Sequence, residues 1–475
     1  MSGFSRTVLG KTRRVHFVGI GGIGMSGIAE LLANLGYVVS GSDEKRSAVT
    51  ERLATLGIRV AHGHQPANVG DADVVVMSSA VRETNPEIRE AGRRQIPVIP
   101  RAEMLAELMR LRYAIAVAGS HGKTTTTSMI AFVLERAGLD PTAVIGGRVS
   151  AFGSNARLGQ GEYMVAEADE SDRTFLKLFP TIAVITNIDH EHLENYGGFG
   201  DLQQAFVDFA NKVPFYGAVI ACADDPPLAA VLPRLTRRVT TYGLTAPTAD
   251  FMASDITSKP MGTTSIVKRR AGRAEGAARS QVTLGALTLQ VPGRHNLQNA
   301  LAAVAVATEL GVSFEQVAAG LQDFRGAERR FDVRGEPNGI LIVDDYGHHP
   351  TEIAAVLAAA RSLGRRIVVA FQPHRYSRTA ALMDAFGPAF AGADHIVLTD
   401  IYAAGEDRIP GVTVDALADA IRRSAGSPVE VVPRLDQVVP AIVRIARPGD
   451  VVITLGAGSI GTLPDQLVAA LRGTA

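Results

Sequence analysis

Short apolar runs that end in glycines recur along the chain, and between them apolar residues repeat at helical spacing. Val15–Val18 is the first run. Ile28, Leu31, Leu32 and Leu35 then share one face of a helix over Met25–Leu35, which Gly36 stops. Tyr37–Ser40, Val74–Met77 and Ile96–Ile99 have the composition of further strands. Strand–helix alternation of this kind predicts a parallel sheet covered by helices. The pattern restarts at Tyr113–Ala118, followed by a glycine loop and a helix that ends near Gly138. Strands are expected at Tyr163–Ala166, Thr181–Thr186 and Ala218–Ala221. From about Ala246 to Leu289 the chain turns polar, with β-like patches at Ser265–Val267 and Gln281–Leu284. The basic stretch Lys268–Arg279 between them predicts an exposed hairpin with a mobile tip, in preference to a nucleic-acid contact. An Ala-rich helix over Asn296–Leu310 closes at Gly311. A third alternation carries strands at Ile340–Val343, Arg366–Ala370, His395–Leu398 and Val451–Leu455.

The expected class is therefore α/β, with three tandem domains over residues 1–112, 113–325 and 326–475. The chain's 475 residues agree with about 150 residues per domain. Charge then narrows the partners. Lys+Arg and Asp+Glu number 48 each, so bulk charge does not hold the protein to nucleic acid or to an anionic membrane. A single cysteine, Cys222, excludes a disulfide framework and a multi-cysteine zinc site, and suits a small buried hydrophobe in a reducing compartment. No apolar stretch reaches the ~18 residues of a membrane span. Lys11, Arg13 and Arg14 before Val15 imitate a secretory leader, but Gly19, Gly21, Gly22, Gly24 and Gly27 break the apolar run. A cytoplasmic protein is expected.

Candidate chemistry clusters where strands end. Gly19–Gly24 (GIGGIG) follows a strand and opens a helix, so a diphosphate can approach backbone N–H groups at a helix N-terminus. Asp43, at the end of the next strand, can accept from a ribose hydroxyl. Alone, this loop predicts a nicotinamide or flavin enzyme. Gly119–Thr124 (GSHGKT) is a second phosphate loop, shorter than the common form because position 117 is Val. Its amides can wrap β- and γ-phosphates, Lys123 can neutralise them, and Thr124 can ligate Mg²⁺. Glu167 ends an apolar strand, where a carboxylate beside a phosphate loop holds Mg²⁺; Asp169, Glu170 and Asp172 after it are ligands or a solvated loop. His190 and His192 sit at another strand end, and a second Mg²⁺ suits them better than zinc, which lacks a third soft ligand here. Downstream, Asn296 and Asn299 can read an adenine edge. Arg329, Arg330, Arg375 and Arg378 can bind carboxylates or phosphates. Asp344 and Asp345 can hold a ribose, and His348, His349 and His374 lie among them. Seven of the chain's 11 histidines fall inside these motifs, which argues for a site over scattered core histidines.

Together GIGGIGMSG (19–27), GSHGKTTT (119–126), EADESD (167–172), GRHNLQNA (293–300), DDYGHHPTE (344–352) and QPHRYSRT (372–379) make the chain resemble the Mur ligase family across nearly its whole length. The resemblance implies a Rossmann-like N-terminal domain, a P-loop ATPase-like central domain with a parallel sheet, and a Rossmann-like C-terminal domain. It implies ATP-dependent joining of L-alanine to UDP-N-acetylmuramate, with the nucleotide sugar in the first domain, ATP in the second and the amino acid in the third. For ATP it points to Gly119, Ser120, His121, Gly122, Lys123, Thr124, Thr125, Asn296, Asn299, Arg330 and Asp345. For the nucleotide sugar it points to Gly21, Gly22, Ile23, Gly24, Asp43, Ser78, Ser79, His121 and Asn155. Tyr346, His348, His374, Arg375 and Arg378 would line the L-alanine site. Two Mg²⁺ ions are implied, one on Thr124 and Glu167 and one on His192. Lys123, His192, Arg330 and His348 would carry the chemistry. Glu191 stands where the family has Asp before that histidine, and Phe209 aligns with the lysine that several relatives carbamylate, so no modified lysine is expected. A monomer or homodimer with no nucleic-acid partner and no membrane insertion fits this picture. A ligase for a murein tripeptide shares the logic of the first two domains, and the Tyr346-Gly347 pair resembles the alanine branch more. A nicotinamide dehydrogenase accounts for Gly19–Gly24 and leaves Gly119–Thr124 unexplained.

Overall fold

The computed structural model describes residues 9–78, 80–149, 154–270 and 280–473. Ser79, the side chains of Ile23 and Asn155, and residues 271–279, where a hairpin tip was expected, lie outside the described residues. The chain forms two compact units. One comprises 1–254, 266–287 and 298–324; the other comprises 255–265, 288–297 and 325–475.

The first unit opens with five parallel strands: β1 (Arg14–Val18), β2 (Val38–Asp43), β3 (Arg59–His62), β4 (Val74–Met77) and β5 (Val98–Pro100), in the order β3-β2-β1-β4-β5. Three helices connect them, α1 (Ile23–Asn34), α2 (Ala48–Thr55) and α3 (Pro86–Arg93), with a 3-10 turn over Pro66–Val69 between β3 and β4; α4 (Arg101–Met109) follows β5. This is a doubly wound order, with a crevice at the carboxyl ends of β1 and β4 where the order reverses. Helix α1 begins two residues before the expected Met25, because the glycine loop turns straight into it. Gly36 ends it at φ +88°, a conformation that costs other residues more.

Beneath the loop lies a buried polar knot. The Glu87 carboxylate, in the first turn of α3, is fully buried. It accepts from His16 Nε2 (3.1 Å), Ser42 Oγ (2.6 Å), Asn68 Nδ2 (2.7 Å) and the Gln65 amide (3.1 Å). Burial alone raises its pKa, but the donors from His16, Ser42 and Asn68 reverse this and hold it at about 2. Ser42 ties the knot to the loop, since its carbonyl accepts from the Gly19 and Ile20 amides at 2.9 and 3.0 Å.

The same unit carries most of the central sheet. Its strands are β6 (Tyr113–Ala118), β7 (Thr142–Val149), β8 (Ser154–Arg157), β9 (Tyr163–Glu167), β10 (Ile182–Ile185), β11 (Ala218–Cys222), β12 (Val239–Gly243), β13 (Phe251–Lys259), β14 (Gly262–Arg270) and β15 (Gln281–Leu289). Their order is β15-β14-β13-β12-β11-β10-β6-β9-β7-β8. Strand β6 lies between β10 and β9, parallel to both, and both of its faces are buried, as its continuous apolar sequence demands. It delivers the chain to α5 (Lys123–Arg136). The β-like patches of the polar segment are β14 and β15. Phe209 is core, tilted on Phe175 at 5.1 Å, so no lysine chemistry arises there. Cys222 is buried too, and burial pushes its thiol up to about 12.

The second unit contains β16 (Asp332–Gly335), β17 (Leu341–Asp345), β18 (Ile367–Phe371), β19 (His395–Leu398), β20 (Val429–Val431) and β21 (Val451–Leu455), in the order β16-β17-β21-β18-β19-β20. All pairs are parallel except β16 with β17, and the last strand inserts between β17 and β18. Alternate residues feed opposite cores: Val343, Val369 and Ile396 on one face, Ile342, Val368 and Val397 on the other. The sheets thus form the expected α/β class. No helix among the described residues is long and apolar enough to cross a membrane.

Candidate active site

The loop after β1 spends much of its own hydrogen-bonding capacity. Gly19 and Ile20 donate to Ser42 O, Gly22 donates to Gly19 O at 3.3 Å, and Gly21 donates to Asp43 Oδ2 at 2.9 Å. Asp43, expected on a ribose, therefore also braces the loop. Met25 and Ser26 donate to Gly22 O, so the amides that helix geometry leaves without an intrahelical acceptor are those of Ile23 and Gly24 at the start of α1. Ser78 packs against Gly19, where a Cβ would lie 3.1 Å from its own.

The loop after β6 is clamped from the end of β10. The His121 amide donates to Asn187 Oδ1 (2.8 Å), and its carbonyl accepts from Thr186 Oγ1 (2.6 Å) and Asn187 Nδ2 (3.0 Å). His121 Nε2 lies 2.8 Å from Asp189 Oδ2. Asp189 donates its amide to Ser120 Oγ at 2.8 Å. Close packing explains the glycines. A Cβ at Gly119 (φ +135°) would lie 2.0 Å from Thr186 Oγ1, and one at Gly122 (φ +79°) 2.8 Å from Asn299 Oδ1. Asn299 thus stands directly on the loop, and Thr125 is buried in the first turn of α5.

Lys123 curls back over this loop. Its Nζ donates to Gly119 O (2.6 Å), Ser120 O (3.1 Å) and Glu170 Oε1 (3.0 Å). Burial pulls its pKa down, but Glu170, Asp169 and Glu167 outweigh that and keep the ammonium charged. Glu170, for which a solvated loop was an open reading, is 1% exposed. Burial raises its pKa to about 8 against the pull of Lys123, with Asp169 and Glu191 adding repulsion. One ammonium thus faces more carboxylates than it can balance. Thr124 Oγ1 donates to Glu167 at 3.0 and 3.2 Å, and the Gly146 amide donates to the same carboxylate at 2.8 Å. Farther along, His192 (φ +58°) sits with Nε2 3.6 Å from Glu191 Oε1 and Nδ1 3.7 Å from Glu194 Oε1. His190 turns away, exposed and stacked on Phe199 at 3.9 Å, so the two histidines do not act as a pair.

In the second unit, strand ends again gather polar groups. Asp345 is buried and accepts from the Phe331 and Gly347 amides, both at 2.7 Å; burial lifts its pKa to about 6 despite Arg330. Tyr346 lies under two guanidiniums, Arg329 at 5.0 Å and Arg330 at 5.3 Å from the ring centre. Arg329 is held by Asp344 Oδ2 (2.9 Å) and Gly456 O (2.6 Å), whereas Arg330 lies 3.5 Å from Glu352. A file of rings follows: Tyr346 to His348 (5.5 Å), His348 to His374 (5.6 Å) and His374 to Tyr402 (5.5 Å, stacked). Arg378 Nη1 lies 3.2 Å from His374 Nδ1. Arg375 (φ +69°) donates its amide to Tyr402 O at 2.8 Å. Asn296, buried, donates its side-chain amide to Pro292 O at 2.7 Å.

Three family models match in tandem: the Mur ligase family catalytic domain over residues 14–113, the Mur ligase middle domain over 117–307, and the Mur ligase glutamate ligase domain over 329–458. The chain belongs to the Mur ligase family. It is 55% identical to UDP-N-acetylmuramate--L-alanine ligase of Geotalea daltonii, over 98% of this chain and 99% of that one. The ligase of the same name from Geobacter sulfurreducens is 54% identical, over 98% of each chain. Among solved structures, UDP-N-acetylmuramate-alanine ligase from Thermotoga maritima superposes with TM-score 0.81 at 30% identity, covering 97% of this chain and all of that one. A murein peptide ligase from Psychrobacter arcticus gives TM-score 0.70 at 25% identity, covering 97% and 99%.

Several residues of this Mur ligase escaped the motif reading. Glu170 was one of three equal acids in a run, and burial singles it out. Tyr402 extends the ring file from the loop after β19; its position just past a strand's carboxyl end was the available signal. Arg101, the first residue of α4, carried no motif.

Proposed function

We propose that this Mur ligase joins L-alanine to the lactyl carboxylate of UDP-N-acetylmuramate, with ATP converted to ADP and phosphate. Its likeness to ligases of that name over nearly its whole length supports this substrate pair over the tripeptide and dehydrogenase readings. The structural observation that carries the reading is the Gly119–Thr124 loop, with its charged lysine, hydroxyl and strand-end carboxylate, in the same compact unit as the Gly19–Gly24 loop. We assign residues 1–112 to the nucleotide sugar, 113–325 to ATP and 326–475 to the amino acid, and place the enzyme in the cytoplasm, where ATP is supplied.

A carboxylate oxygen leaves poorly, so the acid must first be activated. Its oxygen attacks the γ-phosphorus, the bond to ADP breaks, and an acyl phosphate forms. The alanine amine then attacks the acyl carbon and phosphate leaves. The protein's part is to hold charge and geometry. We assign Lys123 to the transferring phosphate, the loop amides at 119–125 to the phosphate chain, and Asn296, Asn299, Arg330 and Asp345 to the rest of ATP. The hydroxyl of Thr124 and the carboxylate of Glu167 are hard oxygen donors held together, and the surplus of buried acid nearby suits a divalent cation. We assign Mg²⁺ to them and a second ion to His192, whose imidazole lies between two carboxylates. Bound there, Mg²⁺ would neutralise phosphate oxygens. His348 Nδ1 faces Tyr346 O at 3.1 Å and must donate to it, so the basic lone pair is on Nε2; we assign this nitrogen to the amine proton. The remaining ring-file residues, Tyr346, His374, Arg375 and Arg378, then line the amino-acid site.

Phosphate release from ATP, measured with UDP-N-acetylmuramate and a panel of amino acids and peptides, tests the reading. Release that depends on L-alanine is expected. Release with tripeptide alone, or with no amine-dependent product, refutes it. Lys123→Ala should lower turnover at least about a thousandfold while nucleotide-sugar affinity stays within about threefold.

A further inference from the structure

Gly24 stands where the first turn of α1 meets the first residue of α4. A Cβ there would lie 2.2 Å from Arg101 Nη1 and 3.1 Å from its Cζ. The other loop glycines meet no cation: Gly19 faces Ser78 and Val81, Gly21 faces Asp43 and Thr50, and Gly22 faces the Gly19 carbonyl and Met25. The last glycine of the motif therefore makes room for a guanidinium.

That guanidinium is placed against electrostatic preference. It lies by the N-terminus of α1 and itself opens α4, and cations are disfavoured at helix N-termini. Its polar partner among the described residues is Asp169 Oδ2 at 3.4 Å, long for a charged hydrogen bond. Arginine offers five N–H donors, so most of the fork is uncommitted. The two side chains are 24% and 41% exposed, so the pair is open to exchange. Asp169 comes from the acidic loop after β9, two residues beyond Glu167. Arg101 thus bridges the nucleotide-sugar loop and the phosphate-transfer loop.

We propose that Arg101 binds the diphosphate of the nucleotide sugar, exchanging Asp169 for substrate phosphate oxygens. This rests on the reading that Gly19–Gly24 receives a UDP-sugar. Two anions of the substrate could draw the guanidinium, and the contact with Gly24 on the diphosphate loop selects the diphosphate over the lactyl carboxylate.

Titration calorimetry without ATP separates the possibilities, using UDP-N-acetylmuramate and UDP-N-acetylglucosamine, which shares the diphosphate but lacks the carboxylate. Arg101→Met should weaken both by about ten- to a hundredfold. Arg101→Lys should fall between, since it keeps the charge and loses the fork. Asp169→Asn should tighten both several-fold, which a packing role for the pair would not do. In turnover, Arg101→Met should raise KM for the nucleotide sugar and leave KM for ATP unchanged. Unchanged affinity in Arg101→Met overturns the proposal. So does weakening confined to the carboxylate-bearing sugar, or a parallel rise in KM for ATP with a lowered melting temperature. If the wild-type protein binds neither nucleotide sugar, the functional reading itself fails and this one falls with it; normal wild-type binding with an indifferent Arg101→Met sinks this one alone.

Discussion

Replacing Glu87 by Gln should loosen the first sheet without touching a substrate. The carboxylate is fully buried and collects four donors, two on each oxygen. An amide keeps one acceptor oxygen, which can still serve Gln65 and Asn68. Its NH₂ would then face Ser42 Oγ and His16 Nε2, both of which donate in the native knot. A fall in pKa from 4.5 to about 2 means that the donors favour the charged form by about 3 kcal/mol. Glu87→Gln should cost about that much at pH 7, or roughly a hundredfold faster hydrogen exchange of β1, β2 and β4, if exchange follows opening. The strands of the second unit serve as an internal control. The sign with pH follows from linkage. The folded-state pKa is depressed, so the contribution is complete above about pH 4.5 and is lost as pH falls through 2. At pH 3 the gap between native and variant should shrink to about half its neutral value, as measured by thermal unfolding. Exchange within threefold of the native protein at pH 7, or a gap that stays constant on acidification, would refute the reasoning.

Other consequences can be checked directly. Gly119→Ala should destabilise the central sheet by about 2 kcal/mol or more and raise KM for ATP, because its Cβ meets Thr186 Oγ1 in a backbone conformation that disfavours side chains. Adding Thr186→Ala should recover part of the melting temperature, whereas Thr186→Ser, which keeps the oxygen, should not. Cys222, 1% exposed with its thiol held near 12, should resist a disulfide reagent at pH 8 in the native protein and react within minutes in urea; rapid native labelling would contradict its placement.

The parts of the fold and site that sequence revealed are those made locally. A glycine loop between a strand and a helix declares itself within ten residues, so both loops, and the strands β1, β6, β19 and β21, were legible. The strand ends around Glu167, His192 and Asp345 followed from apolar runs that stop at acids and histidines. What stayed hidden depends on partners far apart in the chain. Lys123 and Glu170 are separated by 47 positions, Arg101 and Asp169 by 68, and His16 and Glu87 by 71. No spacing rule links such pairs, and sheet packing alone brings them together. The insertion of β21 between β17 and β18 was likewise invisible, because strand order is set by how helices cover a sheet and not by the strands' own residues. Asp43 and Asp345 were read for their chemistry alone, whereas each also fixes backbone amides that shape the loop around it.

The crowding around Gly119 and Gly122 bears on how the molecule can change. Each position has a positive φ and a neighbour's oxygen where a Cβ would go, at 2.0 and 2.8 Å. The loop therefore presents a surface made of main chain, whose shape is fixed by atoms that substitution cannot rewrite. A compound that takes its hydrogen bonds from these amides would leave a population under selection few single-codon routes of escape. Replacing either glycine would damage the nucleotide loop together with the inhibitor's grip, so resistance would have to arise from side chains at the rim or from changes in the amount of enzyme.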